Sequence, residues 1–228
     1  GVSKLGLRVD DRASDETIFL AGKVSPARVQ PIHPGSFVRV KNGLPADAEL
    51  TALTLECWVR PWKLSQWQGI LPQHDYPDRC GFGLFLDAGG RAVFSIGSGG
   101  AYDGGSLVTG PKLNLRQWHH LVGVWDAEAK IATIWVDGKR AAEWQAPNNL
   151  PPRKAGPAGL QIGAYSERGV TGRFFDGDIA MPAIYTRALA ADEIAARLAK
   201  RGLEAPDLGD PAIAAFWPLD EERGSSVA

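Results

Sequence analysis

Residues Trp118–Arg140, WHHLVGVWDAEAKIATIWVDGKR, constrain this chain more than any other stretch. They hold two runs rich in β-branched, aliphatic and aromatic residues, Leu121–Trp125 and Ile131–Val136, joined by the short polar segment Asp126–Lys130. Runs of that length and composition with a short polar connection pair as an antiparallel hairpin. Asp137-Gly138 then supplies a turn that needs φ > 0. Strand alternation puts Ala132, Ile134 and Val136 on one face and Thr133 and Trp135 on the other. In the first run, Leu121, Gly123 and Trp125 compete with Val122 and Val124 for the inner face.

The remaining segments repeat the β signal. In Leu53–Arg60, Leu53, Leu55, Cys57 and Val59 share one face and Thr54, Glu56, Trp58 and Arg60 the other, and Pro61 ends the pairing. Gly81–Asp87 and Arg91–Gly97 form a second hairpin around Ala88-Gly89-Gly90. Shorter strands are expected at Ile18–Leu20, Ser36–Val40, Leu107–Thr109 and Leu160–Tyr165. Trp62–Arg79 reads as a loop too polar for the core, Ser98–Gly105 as a Gly-rich loop, and Ala146–Pro157 as a Pro/Asn-rich excursion. Pro182 interrupts the strand pattern of Arg173–Arg187 and implies an edge or a bulge. One helix is expected over Ala190–Arg201. Asp192 and Glu193 lie near its start, Lys200 and Arg201 near its end, Gly202 follows it, and Leu189, Ile194 and Leu198 are its packing residues. The 228 residues, 44% hydrophobic and with 27 Gly and 16 Pro, suit one all-β domain, an antiparallel two-sheet sandwich with a short C-terminal helix.

Net charge is −1 and no basic cluster stands out, which argues against nucleic-acid and anionic-membrane partners. No apolar run is long enough to span a bilayer. The two cysteines, Cys57 and Cys80, do not form a disulfide framework; free thiols are favoured over a bridge, which points to a cytoplasmic rather than a secreted setting.

The order W-H-H, apolar strand, Asp turn, apolar strand, Asp-Gly resembles the central hairpin of laminin-G-like domains, jelly rolls of the concanavalin A-like lectin/glucanase superfamily. LTLECWVRP resembles a second strand of that family. Gly177, Ile179, Ile184, Tyr185, Arg187, Ala188, Leu189, Glu193 and Ile194 match its closing motif, while Ala180 and Met181 stand where acidic residues are common. AAFWPLDEERGSSVA, residues 214–228, resembles the opening of such a domain but follows the closing motif; it is either a terminal strand or the start of a following domain. Residues 1–31 read as an extended lead-in. The arrangement is similar to the laminin-G-like domain in the large subunit of N,N-dimethylformamidase-like proteins, which implies a domain excised from a longer chain whose parent is an amidohydrolase.

Catalytic motifs are not found. Laminarinase-type enzymes on this fold use clustered carboxylates on one strand, and here Glu56 stands alone. Asp176 and Asp178 share a face by parity and are expected to be solvated at a strand start. His119 and His120 point to opposite faces, so they cannot share one metal and are expected to pack. Many relatives bind Ca²⁺ through loop oxygens. Asp176 with Asp178, or Asp75, Asp78 and Asp103, have the chemistry for it, and turn formation is the competing role of each. The 8 Trp include Trp58 and Trp135, opposite the inner faces of their strands, and Trp67 in a loop with Tyr76 and Tyr102. Such rings stack on sugars. For Trp58 and Trp135 the competing reading is a second packing layer under the helix or a neighbouring domain. The expected function is a non-catalytic binding or assembly module contacting other domains or subunits of its parent. A carbohydrate-binding lectin domain is the alternative, and a glycoside hydrolase is least favoured.

Overall fold

The computed structural model describes residues 7–9 (backbone only), 37–41, 43–64, 66–76, 80–97 and 107–219. In chain order the strands are β1 (Leu7–Val9), β2 (Val38–Arg39), β3 (Ala52–Pro61), β4 (Gln68–Tyr76), β5 (Gly81–Leu86), β6 (Arg91–Ile96) and β7 (Leu107–Lys112). They continue with β8 (His119–Asp126), β9 (Ile131–Val136), β10 (Lys139–Gln145), β11 (Gln161–Ile162), β12 (Tyr165–Glu167), β13 (Val170–Gly172) and β14 (Gly177–Tyr185). The helix α1 (Ala191–Ala199) and β15 (Ile213–Phe216) follow. No helix among the described residues is long and apolar enough to cross a membrane.

The first sheet has the order β1-β14-β3-β8-β9-β10, with β15 also paired to β14. The second has the order β13-β12-β4-β5-β6-β7, and β11 pairs separately with β2. Among the described residues the chain is therefore the two-sheet sandwich with one short helix that its patterning implies. All described pairs are antiparallel except β4–β12, which run parallel with Ser166 opposite Asp75.

The central hairpin pairs Leu121 with Val136 and Trp125 with Ala132. Asp137 (φ 51°) and Gly138 (φ 74°) make the turn into β10, both in the left-handed region that a tight hairpin turn requires. The competition for the inner face of β8 is resolved by burial on both sides. Leu121 and Trp125 join Leu53, Leu55, Cys57, Val59, Ala132 and Ile134 between the sheets, with Phe82, Leu84 and Phe94 facing them from the second sheet. Val122 and Val124 lie on the opposite face, packed with Ala183, Tyr185, Leu189 and Ile194.

Three expectations need correction, and that for Pro182, an edge or a bulge, is narrowed to the bulge. Trp62–Arg79 is not a polar loop throughout, because its middle forms β4. Ile70 and Leu71 are fully buried there, and Gln73 is buried with its amide bonded to the backbone of Leu44 and Gly156. Leu160–Tyr165 is not one strand, because Gly163 (φ 85°) separates β11 from β12. Pro182 marks a bulge rather than an edge: β14 lies between β3 and β1/β15, and its register shifts between Ala180 and Ala183 with Met181 at φ 55°. Asp178 is not solvated but 5% exposed, because β14 carries it under Arg60 and Trp62. The expected strand at Ile18–Leu20 and the loop at Ser98–Gly105 lie outside the described residues.

Candidate ligand-binding site

The two sheets differ in what their outer faces carry. On the first, α1 lies over β3, β8 and β14. Its Ile194 is fully buried and Leu198 packs toward Trp58, Ala180 and Met181. Ala190 has no side-chain oxygen for capping, but Glu193 turns back and accepts the Ala190 N–H at 2.8 Å, half of a capping box. Glu193 and Asp210 both bind Arg187, which ties the helix start to the chain beyond its end. Gly202 (φ 66°) follows the helix against Trp58, whose ring would lie 3.1 Å from an added Cβ. Any larger residue there meets both strain and the indole.

Under the helix sits a buried polar network. The Glu56 carboxylate, with no exposure, lies 3.0 Å from His120 Nε2, accepts from the Tyr185 hydroxyl at 2.8 Å and accepts from Arg197 Nε at 3.0 Å. Burial alone raises the pKa of Glu56. The hydrogen bond and charge of His120, the Arg197 charge and the Tyr185 bond outweigh it, so the carboxyl titrates below its ordinary range. Trp58 stacks on His120 at 5.0 Å. Trp135 is half-buried in the same layer, and its indole N–H reaches Thr133 Oγ1 at 3.1 Å. The rings of Trp58 and Trp135 are thus taken up in packing under and beside α1. His119 faces away from this network: its Nδ1 pairs with Asp137 at 2.8 Å and its Nε2 accepts the Asn114 N–H. The two histidines do point apart, and both hold structure together.

The outer face of the second sheet carries a stripe of aromatic rings instead. The Phe85 ring leans over Gly83, where an added Cβ would stand 2.7 Å from it. That lets it reach His74 at 5.5 Å and Tyr165 at 5.4 Å, both edge-on. Trp67 packs on Phe85, Val93 and Tyr165 at one end, and Tyr76, 42% exposed, stands at the end of β4 at the other. Burial, the largest influence, raises the Tyr165 hydroxyl to about 12, against the lowering effect of Arg173. Phe85, Val93 and Tyr165 form the buried floor, with Trp67 and His74 half-buried and Tyr76 open. Tyr102 and Asp103 lie outside the described residues. Phe85, His74 and Tyr165 escaped sequence reasoning because their contact depends on pairing of β4 with both β5 and β12.

The acidic candidates do not converge. Asp178 Oδ2 accepts from Arg60 Nε at 2.6 Å and from Trp62 Nε1 at 2.9 Å, so a Ca²⁺ at that carboxylate would lie against a guanidinium. Asp176 precedes β14, and its main chain is bonded to Gln68 and Trp62. Asp75 accepts the Gly169 N–H on both oxygens at 3.1 Å. No group of three His, Cys, Asp or Glu suited to a metal occurs among the described residues. The residues present do not fit a calcium ion at Asp176 and Asp178. The bonds to the Asp178 carboxylate leave the pair without the two free carboxyl groups of a glycosidase.

Similarity to known proteins agrees with the architecture. No curated protein matches the chain. A Bacteroides ovatus protein inferred to bind carbohydrate shares 15% identity at a TM-score of 0.58, over 84% of this chain and 52% of its own. The CBM40 domain of a Ruminococcus gnavus IT-sialidase, solved with α2,3-sialyllactose, shares 16% identity at a TM-score of 0.55, over 72% of this chain and 96% of its own. NanB sialidase of Streptococcus pneumoniae shares 16% identity at 0.54, over 70% of this chain and 26% of its own. The chain spans about half the length of the B. ovatus protein and a quarter of the sialidase. At these identities the likeness is one of fold. A laminin-G-type family model, described as the concanavalin A-like lectin/glucanases superfamily, matches residues 35–195, and the chain belongs to that superfamily.

Proposed function

We propose that this domain is a non-catalytic carbohydrate-binding module whose ligand lies along the outer face of the second sheet. The observation that carries the reading is the asymmetry of the two outer faces. The first is occupied by the chain's own helix, with its charges paired beneath it. The second presents the stripe Trp67–Phe85–His74/Tyr165–Tyr76, an apolar strip of edge-on rings with a buried floor that ends in the exposed Tyr76 ring. Aromatic faces bind sugar rings through their C–H surfaces, while hydroxyl groups stay wet. The similar folds described as CBM40 and as carbohydrate-binding support the same class.

A glycan array probed with the 228-residue domain tests this. Saturable binding to at least one glycan, weakened by Trp67→Ala and by Tyr76→Ala but not by Trp135→Ala, is expected. No binding to any glycan would leave the assembly-module reading in its place. In that reading too the second sheet is the face for a partner, because among the described residues α1 covers only the first. No observation of this structure favours a dimethylformamidase-like parent over any other.

A further inference from the structure

We propose a second, polar sugar site at the rim of the sandwich, built by Arg39, Asp75, Gln161 and Ser166, that binds the vicinal hydroxyls of a neutral sugar without a metal ion. These residues line a cavity of about 310 Å³ where the small β2–β11 sheet meets the ends of β4 and β12, closed on another side by the backbone at Gly159 and Gly169. Pairing of Gln161 with Arg39 across β11–β2, and of Ser166 with Asp75 across β12–β4, brings four separate segments to one place. Facing partners on neighbouring strands put their side chains on the same side.

The decisive group is the Gln161 amide. Gln161 is 4% exposed, and its Nε2 donates to Ser166 Oγ and Thr171 Oγ1, both at 3.0 Å. These bonds fix the amide plane, yet Oε1 is buried with no hydrogen-bond partner among the described residues. If the amide is turned over, the hydroxyls donate to the oxygen and the NH₂ becomes the group left over. A buried, oriented amide with one end unsatisfied costs stability unless something completes it. Around it the chemistry is balanced. Asp75 holds the Gly169 N–H with both oxygens and keeps further lone pairs. Arg39 uses one NH₂ on Thr171 Oγ1 at 3.1 Å and keeps other donors.

One cation and one carboxylate beside a neutral amide suit a ligand without net charge. An acid would meet Asp75, and an amine would meet Arg39. Two adjacent hydroxyls match the set, donating to Gln161 Oε1 and to Asp75 while accepting from Arg39. The volume lies at the small end of ligand pockets, about 300–1,000 Å³, and suits one sugar ring.

The site shares its ligand class with the outer-face reading but none of its residues, so the two can fail separately. The test is titration of the ¹⁵N-labelled domain with the methyl α-pyranosides of glucose, mannose and galactose, with a 2,3-dideoxy methyl glycoside and with N-acetylneuraminate. At least one neutral glycoside is expected to shift the Gln161 side-chain amide and the backbone amides of Ser166 and Gly169, while the dideoxy sugar leaves them in place. Gln161→Leu and Asp75→Asn should each weaken that binding at least about tenfold. Asp75→Asn keeps shape and serves if Gln161→Leu does not fold, as judged by its thermal midpoint. The proposal is overturned if no neutral glycoside shifts these amides, if both variants bind like wild type, or if N-acetylneuraminate shifts them more strongly. Shifts confined to Trp67 and Tyr76 overturn the rim site while leaving the outer-face reading intact.

Discussion

Arg197 Nε on α1 donates to both carboxylate oxygens of Glu56 on β3, at 3.0 and 3.1 Å, across 141 residues of sequence. The pair clamps the helix onto the sheet, and its environment sets its worth. Glu56 has no solvent exposure and the Arg197 side chain only 14%, so removing Arg197 leaves the Glu56 charge in a dry layer with, among the described residues, only His120 and Tyr185 against it. Arg197→Met is expected to destabilise the domain by about 3 kcal/mol in urea unfolding. Glu56→Leu combined with Arg197→Met should cost less than the sum of the single changes, because the stranded charge disappears.

The same carboxylate predicts how acid acts. Its folded pKa lies below its ordinary value, so the stability it contributes is complete above about pH 4.5 and is lost as pH falls through the folded value. Asp137 is shifted in the same direction. Burial raises its pKa, but the bond to His119 and the His120 N–H outweigh burial. Unfolding free energy should therefore fall below about pH 4.5 in the wild type, and Glu56→Gln should flatten that slope while lowering stability at neutral pH. An unchanged slope in Glu56→Gln would show that the network does not set the acid response.

Between the sheets, Gly123 on β8 lies against the Phe94 ring, which would stand 2.3 Å from an added Cβ. Phe94 has no exposure, and a close-packed core resists displacement of its ring. Gly123→Ala is expected to cost about 1–3 kcal/mol by overpacking, and Phe94→Leu in the same chain should recover part of it. Thermal midpoints of the two single variants and the double variant decide this.

Cys57 is free and buried, and Cys80 is half-buried. Burial, helped by the neighbouring Glu56 charge, pushes the Cys57 thiol well above its ordinary range. Thiol labelling of the native domain at pH 8 should leave Cys57 unmodified until the chain is unfolded, which mass spectrometry of digests would read. Rapid native labelling at Cys57 would contradict the packing of β3.

β3 and β9 were legible in the sequence because the face between the sheets takes the purely apolar set, which gives a period of two in residue type even though their opposite faces are largely buried as well. β4 escaped because Gln68 and Gln73 are buried polar residues, bonded to the backbone at Lys63 and Leu44, and composition cannot show that. The helix was legible from its end charges and the burial of Ile194, but its clamp was not, since Glu56 and Arg197 carry no local signal of each other. Among the aromatic candidates, sequence placed Trp58 and Trp135 opposite the inner face and offered packing under the helix as one of two readings, and α1 does pack there. The rim cavity draws on four segments and has no motif.

The central claim is that the second sheet binds and the first is closed. It is tested most directly by following the indole and aromatic ring signals of the domain as a glycan that binds it is added. The account predicts shifts at the Trp67 indole and the Tyr76 and Tyr165 rings, with the Trp58 and Trp135 indoles unmoved. Shifts at Trp58 and Trp135 with Trp67 and Tyr76 unmoved would place the ligand on the helix-covered sheet and contradict it.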